Sequence, residues 1–303
     1  MTRPLQICVL TDGKPGHQNQ SLGLAEAIGR RAPAAVSLLE VPAGKLRSLG
    51  LIETPEPRPD LFIGAGHATH APLLQLARRT GAPCVVMMKP SLPAGFFDLC
   101  LVPEHDLGGA GPAPNVIATK GALNRVPPPD PDRARSGGLL LIGGPSGSHG
   151  WDAETTTRQV AAIVDSRSAL AWRATDSRRT PEGFLEALQS ASPAFAPFPH
   201  QQTGRDWLPQ QLAHCEEVWV SEDSVSMIYE ALSSGAAVGL LPVPRKSRTS
   251  RVARGIDRLA EQGWLTPFDD WRPGTPLPRP PATLREADRT AAIVLERFFP
   301  DRR

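Results

Sequence analysis

The stretch 218–241 most constrains the fold of this chain, because it reads as a strand, a polar turn, a helix and a second strand in that order. Apolar residues at 218–220 are typical of a buried strand, and the Ser-Glu-Asp-Ser run after them is rich in residues that cap helices. Apolar spacing predicts a helix from about Asp223 or Ser224 to Gly235, a natural left-handed C-cap. The pattern therefore predicts a βαβ unit, in which ligands bind beyond the carboxyl ends of the strands.

The same alternation of strand and helix runs through most of the chain. In the first half, strands are predicted at 5–11, 36–41, 60–64, 83–88 and 98–102, with helices at about 18–31 and 70–80. In the second half, further strands are predicted at 139–142 and 169–175, with helices at 152–165, 181–190 and 283–299. Continuous apolar runs indicate strands that are covered on both faces. We therefore predict an α/β protein with two doubly wound, Rossmann-like domains.

A proline cluster at 126–132 separates the two series. We predict an N-terminal domain at 1–125, a linker at 126–137 and a C-terminal domain at 138–282, because 303 residues suit two domains.

The bulk composition excludes several classes of protein. Lys and Arg (33) nearly balance Asp and Glu (31), so no nucleic-acid partner is expected. The four cysteines are scattered without a CxxC motif, which favours buried, reduced thiols over a zinc site. No apolar run is long enough for a signal peptide or a membrane helix, so we expect a cytoplasmic location.

Two loops of the second half follow predicted strands and suit an anionic ligand. One is the glycine-rich run 143–150, in which Gly143, Gly144, Ser146 and Gly147 would let a phosphate approach backbone N–H groups, although neither a P-loop nor a GxGxxG spacing is present. The other contains Ser177, Arg178, Arg179 and Thr180, with Thr180 expected to cap a helix whose first residue is Pro181. The alternatives are an ordinary glycine turn and a pair of solvated arginines.

In the first half, the loop 12–20 follows the first strand and carries several reactive side chains. His17 suits a general base, Lys14 a phosphate, and Gln18 or Gln20 a sugar hydroxyl. The alternative for His17 is helix capping or phosphate binding.

Further candidates carry weaker signals. His105 and Asp106 end the strand at 98–102 and suit an acid–base pair or a cleft lining. His67 and His70 have the spacing of a metal pair but lack a third ligand nearby, so no metal site is predicted. The basic stretch 245–258 is interpreted as a solvated helix face, and Phe96 and Phe97 as core residues unless the acceptor is lipid-linked.

The stretch 218–235 resembles the donor-binding strand, turn and helix of GT-B glycosyltransferases, such as the lipid II-forming N-acetylglucosaminyltransferase. With the runs at 11–20, 101–106 and 177–181, the chain is most similar to a bacterial family related to the plant "elongated mitochondria" fission protein. This resemblance implies two domains that face across a cleft, with the C-terminal helix 283–299 packing back on the first. It also implies that Glu230 holds the ribose of a nucleotide.

The resemblance and the loops together predict a metal-independent glycosyltransferase-like protein without a cofactor. The predicted partners are a nucleoside diphosphate sugar and a cell-envelope acceptor, with peripheral binding at the inner membrane if that acceptor is lipid-linked. His17 and Asp106 are the catalytic candidates, and Lys14, Gln18, Gln20 and His105 the acceptor or phosphate contacts. The predicted nucleotide-sugar contacts are Gly143, Gly144, Ser146, Gly147, Ser177, Arg178, Arg179, Thr180, Ser221, Glu222, Asp223, Ser224, Ser226, Met227 and Glu230.

Two alternatives remain open. A hydrolysing nucleotide-sugar epimerase needs carboxylates near the anomeric carbon, for which Asp12, Glu104 and Asp106 are available. A non-enzymatic interaction protein is implied by the role of the plant relatives.

Overall fold

The computed structural model describes residues 3–41, 52–107, 113–130, 132, 134–247 and 250–302. They form two compact units. The first consists of Met1–Arg125 with Arg285–Arg303, and the second of Val126–Leu284. Pro131 and Arg133 of the predicted linker, and Arg248 of the basic stretch, lie outside the described residues.

The first unit contains a parallel six-stranded sheet in the order β2-β1-β3-β4-β5-β6. Its strands are β1 Leu5–Thr11, β2 Ala34–Glu40, β3 Leu61–Ala65, β4 Cys84–Met87, β5 Leu99–Pro103 and β6 Val116–Thr119. Its helices are α1 Pro15–Gly29, α2 His67–Thr80 and α8 Glu286–Phe298.

Both faces of the sheet are buried at β1, β3, β4 and β5, which explains the continuous apolar runs of these strands, whereas the edge strand β2 is largely exposed. Ile7 and Val9 belong to the cluster formed with α1 and α8, whereas Cys8 and Leu10 belong to the opposite cluster formed with α2. Successive residues of a strand point to opposite faces, so a strand covered on both sides must be apolar throughout.

The second unit contains another parallel six-stranded sheet, in the order β12-β11-β10-β7-β8-β9. Its strands are β7 Gly138–Leu141, β8 Trp172–Thr175, β9 Phe195–Pro197, β10 Glu217–Ser221, β11 Ala237–Leu241 and β12 Thr266–Pro267. Its helices are α3 Ala153–Ser166, α4 Phe184–Ala191, α5 Trp207–His214, α6 Val225–Ser234 and α7 Arg251–Glu261. The strand order reverses between β7 and β10, and such switch points are where α/β sheets bind ligands.

The predicted α/β class is confirmed in both units, but several boundaries differ. Helix α1 begins at Pro15, three residues before the predicted start, because proline is well suited to the first helical position. The prediction that Pro181 begins a helix is wrong, because α4 begins at Phe184 after the left-handed Gly183. Strands β6, β9 and β12 and helix α5 were not predicted, since the three strands have at most four residues and α5 has only eight.

Other predictions concern buried or exposed side chains. The four cysteines are buried and free of disulfides. Phe97 is buried as expected, whereas Phe96 is 54% exposed. Within the described ranges, no helix is both long and apolar enough to cross a bilayer, and no group of three metal-ligating side chains is found.

The packing of Trp219 predicts which glycines of the second unit can be replaced by alanine without loss of stability. A Cβ on Gly239 would lie 2.3 Å from the ring of Trp219, which is fully buried and contacts Trp271. Gly239→Ala is therefore expected to lower the free energy of unfolding by about 2 kcal/mol. Gly255→Ala is the control, because its Cβ meets no atom within 4 Å in α7, and it should raise that free energy by about 0.5 kcal/mol. Equal urea midpoints for the two variants would contradict this packing.

Candidate functional site

Three loops meet at the carboxyl edge of the second sheet. The Gly143 N–H donates to Ser221 Oγ at 2.6 Å, and the Gly144 N–H donates to Asp223 Oδ2 at 3.0 Å. These contacts join the loop after β7 to the loop after β10. The structure thus brings together motifs that lie almost eighty residues apart along the chain.

Arg179 joins the third loop, which follows β8, to the other two. Its guanidinium lies 2.8 Å from Asp223 Oδ2 and donates to the Gly144 carbonyl at 2.8 Å and to Ser224 Oγ at 3.2 Å. The Asp223 side chain is fully buried, and a buried carboxylate must be paired. Arg179 therefore acts as a clip that holds the three loops together. Few of its N–H donors are left for the ligand contact that the sequence predicted.

The two glycines of the β7 loop are required by close approach rather than by a left-handed conformation. A Cβ on Gly143 would lie 2.2 Å from Asp223 Oδ2, and one on Gly144 would lie 2.0 Å from the Arg179 carbonyl oxygen. Any side chain here would push the three loops apart. The N–H groups of both glycines already have protein partners, whereas Gly147 is exposed and its Cβ position is open.

Thr180 stabilises the β8 loop instead of capping α4. Its hydroxyl donates to the Gly143 carbonyl at 2.5 Å and accepts from the Ser177 N–H at 2.8 Å. Arg178 is exposed and, within the part of the chain that the structure describes, makes no hydrogen bond or ion pair. Of the two arginines, Arg178 is the one whose donors are available.

Glu222 is also engaged inside the protein. Arg245 Nε donates to its Oε1 at 2.5 Å, and hydrogen bonds to Asp257, followed by those to Glu222, raise the pKa of Arg245. The His149 ring lies 3.9 Å from the same oxygen and is almost fully buried, so burial lowers the pKa of His149. The basic stretch is thus not simply a solvated helix face, because its first arginine closes a buried ion pair.

Helix α6 begins at this edge with its first turn open. Ser224 occupies the N-cap position, but its hydroxyl does not cap the helix and donates to Asp223 at 3.1 Å instead. Ser226 is exposed and Met227 half-buried at the second and third helical positions. Free N–H groups at a helix N-terminus attract anions, so the first turn of α6 suits a phosphate.

Glu230 lies in the second turn of the same helix and differs from the other carboxylates of the site. It is 9% exposed, and among the described residues it makes no hydrogen bond and no ion pair. Burial raises the pKa of Glu230 from 4.5 to about 7. Its carboxylate has no partner among the described residues and can therefore accept hydrogen bonds from the hydroxyls of a ligand.

In the first unit, His17 and Asp12 form a pair at the end of β1. His17 Nδ1 lies 3.0 Å from Asp12 Oδ2. Burial acts to raise the pKa of Asp12, but the hydrogen bonds from His17 and the Lys14 N–H outweigh it, and the pKa is lowered. An ionised carboxylate only accepts hydrogen bonds, so Nδ1 carries the proton and Nε2 is left as the basic nitrogen. This is the arrangement of an oriented general base.

The other candidates of the first unit are more dispersed. Gln18 and Gln20 lie two positions apart in α1, and residues at that spacing do not share a helix face. His105 lies 3.8 Å from Asp106 at the end of β5. Because β5 is three strands away from β1, the two strand ends are separated by roughly 14 Å. The sheet therefore does not place Asp106 next to His17.

Sequence reasoning missed two histidine pairs. His200 Nδ1 lies 3.0 Å from Asp176 Oδ1 at the end of β8, and His70 Nδ1 lies 2.9 Å from Ser91 Oγ. The only signal available was that Asp176 directly follows a strand, and nothing in the spacing pointed to its partner.

Replacing each arginine of the β8 loop in turn tests which of the two stabilises the fold. Arg179→Ala leaves the Asp223 carboxylate buried without its cation, and it is expected to lower the free energy of unfolding by about 2 kcal/mol. Arg178→Ala should change it by less than about 0.5 kcal/mol. Urea unfolding of both variants tests this difference, and a stable Arg179→Ala protein would contradict the clip.

The raised pKa of Glu230 predicts a pH-dependent effect of its replacement. The fold tolerates the neutral carboxyl better than the ionised one. The contribution of Glu230 to the free energy of unfolding is therefore fully present below pH 4.5 and is lost as the pH rises through about 7. Glu230→Gln should therefore be more stable than the wild type at pH 8, by up to roughly 3 kcal/mol, and equal to it at pH 4.5. Thermal unfolding across this range checks the prediction, and a constant difference would contradict it.

Comparison with solved structures identifies the fold. The chain matches a putative UDP-N-acetylglucosamine 2-epimerase from Listeria monocytogenes with a TM-score of 0.58 at 12% identity, covering 98% of this chain and 97% of that one. It matches Acinetobacter baumannii MurG with a TM-score of 0.51 at 14% identity, covering 97% and 100%. A UDP co-structure of S. aureus MnaA gives 0.52 at 14% identity, covering 97% and 89%. The fold is the GT-B-like fold that the sequence predicted.

No curated protein sequence matches the chain. A family model described as Mitochondrial fission ELM1 matches residues 15–298, and its match includes every loop described above except the first residues of the β1 loop. The chain therefore belongs to the mitochondrial fission ELM1 family.

Proposed function

We propose that the second unit binds a nucleoside diphosphate sugar and that the protein transfers the sugar to a cell-envelope acceptor. The observation that carries this proposal is Glu230, a buried carboxylate that has no partner among the described residues. It lies in α6, which begins at the ligand edge of the sheet. A ribose offers two neighbouring hydroxyl donors, which suit one carboxylate. The similarity to GT-B structures, one of them a UDP co-structure, supports a nucleotide as the ligand.

The diphosphate is assigned to the start of α6 and to Arg178. The open first turn of α6 supplies N–H donors with the favourable end of the helix dipole. Arg178, which has no partner among the described residues, supplies a guanidinium from the loop after β8, and Ser146 and Gly147 lie on the loop after β7. Arg179, Asp223 and Glu222 then act by holding these loops, rather than by touching the ligand.

The transfer step is assigned to His17. Its Nε2 takes the proton of an acceptor hydroxyl while the hydroxyl oxygen bonds to the anomeric carbon and the bond from that carbon to the diphosphate breaks. Asp12 holds the ring and stabilises the imidazolium that forms. The N–H groups of α6 and Arg178 neutralise the charge that develops on the leaving diphosphate, and in this proposal they replace a metal ion.

A lipid-linked acceptor at the inner face of the membrane suits the first unit. Leu92 and Phe96 are both exposed in the segment after β4, and we assign to them the contact with the apolar part of such an acceptor.

Two competing functions make different predictions. The similarity to an epimerase keeps open the conversion of the bound sugar without an acceptor. That reaction needs carboxylates at the sugar, but Asp12 is held by His17, and Glu104 and Asp106 follow β5, which is three strands away from β1. An interaction protein of the ELM1 family would bind no nucleotide at this site.

Calorimetric titration of UDP, GDP and CMP and their common sugar conjugates tests the donor site. One nucleotide is expected to bind saturably to the wild type, and Glu230→Ala should weaken it at least tenfold because the ribose loses its acceptor. The control is Glu261→Gln, which changes an exposed carboxylate of α7 and should leave affinity unchanged.

The outcomes of that titration distinguish the three functions. Equal affinity of Glu230→Ala and the wild type would contradict the assignment of Glu230. Absence of binding to every nucleotide would favour the interaction protein, and conversion of a bound sugar without an acceptor would favour the epimerase.

A further inference from the structure

The loop after β7 is fastened to the loop after β11 by a short antiparallel contact. The Gly150 N–H donates to a carbonyl of the β11 loop at 2.7 Å, and the Lys246 N–H donates to a carbonyl of the β7 loop at 2.9 Å. The Lys246 ammonium also donates to the Ser146 carbonyl at 2.7 Å. We call this contact between residues 146–150 and 244–246 the latch.

His149 lies at the centre of the latch, where it forms an antiparallel bridge with Arg245. Its side chain is 1% exposed, and neither ring nitrogen makes a hydrogen bond with any residue that the structure describes. Burial without a hydrogen bond costs a neutral imidazole far less than an imidazolium, because the cost of burying a charge is much larger. The latch in this form therefore needs His149 to be neutral.

Four charged side chains act on His149 from three neighbouring loops. Glu222 and Asp223 follow β10, and Oε1 of Glu222 lies 3.9 Å from Nε2 of the ring. Arg245 follows β11, and Arg179 follows β8. The carboxylates favour the protonated ring and the arginines oppose it. Burial is the largest contribution, so the pKa of His149 lies below its ordinary value of 6.5.

Neither carboxylate is free to receive a charged ring. Glu222 accepts from Arg245 Nε at 2.5 Å, and Asp257 of α7 holds the same arginine at 2.6 and 3.1 Å. Asp223 pairs with Arg179. An imidazolium carries two N–H donors, and among the described residues neither ring nitrogen has an acceptor within hydrogen-bond distance. Protonation therefore favours exposure of the ring to water, which separates the two loops.

We propose that neutral His149 holds the latch closed and that protonation of His149 opens it. The free energy that keeps the latch closed is fully present above pH 6.5 and is lost as the pH falls below that value, because the open form binds the proton more tightly. His149 is thus a positioning residue that acts through the loop after β7.

The latch bears on the proposed function because its loop carries Ser146 and Gly147, which lie beside the site assigned to the diphosphate. Opening of the latch removes this loop from the ligand and weakens binding of the nucleotide sugar. By linkage, a bound nucleotide sugar keeps the latch closed. This step alone rests on the proposed function.

Hydrogen exchange of the full chain without ligand tests the latch directly. The N–H groups of Gly150 and Lys246 are its reporters, and the Ile142 N–H, which donates to Thr175 at 2.9 Å just before the loop, is the reference. After correction for the intrinsic rate, protection of both reporters should fall at least fivefold between pH 7.5 and pH 5.5. Protection of the reference should not fall, because the opening is local.

Replacing His149 should remove the response to pH. His149→Phe keeps an aromatic ring in the buried position but does not titrate, so its reporters should be equally protected at both pH values. His200→Gln is the control, because it replaces a partly exposed histidine of the same unit that pairs with Asp176, and it should keep the fivefold fall. Melting temperatures show which variants keep the fold, and His149→Gln takes the place of His149→Phe if that variant does not.

The titration of the His149 ring, followed by NMR in the wild type, needs no variant and should give a pKa below 6.5. A value of 6.5 or more would overturn the latch. Protection of the reporters that stays constant with pH in the wild type, or that falls equally in His149→Phe, would also overturn it.

The link to binding is measured by calorimetry with the nucleotide sugar that the titration above identifies. Glu230→Gln is the background, so that titration of Glu230 does not contribute. Affinity should fall at least threefold from pH 7.5 to pH 5.5, and adding His149→Phe should abolish the fall. If no nucleotide sugar binds, the proposed function fails, whereas hydrogen exchange still decides the latch. If the latch opens in acid and affinity stays constant, only the link to binding fails.

Discussion

The buried carboxylate of Asp223 is the interaction on which the ligand edge of the second unit depends. It accepts the Gly144 N–H and pairs with Arg179, so one side chain holds the loops that follow β7, β8 and β10. The carboxylate can be buried only if the loops approach closely enough to supply its partners, which is why Gly143 and Gly144 have no room for a Cβ. Because these contacts already occupy the polar groups, the same groups are not available to a ligand.

The polar groups that Arg179 and Asp223 do not occupy are the ones on which the proposed function rests. The first turn of α6 has no side-chain cap, Arg178 is exposed, and Glu230 is buried without a partner among the described residues. In the proposed function, the first turn of α6 and Arg178 bind the diphosphate, and Glu230 binds the ribose hydroxyls. In the first unit, Asp12 fixes His17 in the tautomer that a base requires.

The sequence predicted the fold more fully than the site. Unbroken apolar strands such as β1 and β10 revealed parallel sheets, because both of their faces are buried. The roles of individual side chains were less accessible. Arg178 and Arg179 are adjacent and chemically alike, yet only Arg179 reaches Asp223, and this depends on a contact across forty-four residues. Glu230 was identified through a family resemblance, since nothing in its spacing shows that it is buried and unpaired. The pairs of His17 with Asp12 and of His70 with Ser91 likewise required the loops in three dimensions.

Proton release on binding of a nucleotide sugar tests the account most directly, because the diphosphate diester does not titrate near pH 7. If ribose hydroxyls bind Glu230, they favour its ionised form, and the wild type should release about half a proton at pH 7. Calorimetry in buffers of different ionisation enthalpy measures this quantity. The account predicts that Glu230→Gln loses the release. Binding without proton release in the wild type, or with the same release in Glu230→Gln, would contradict it.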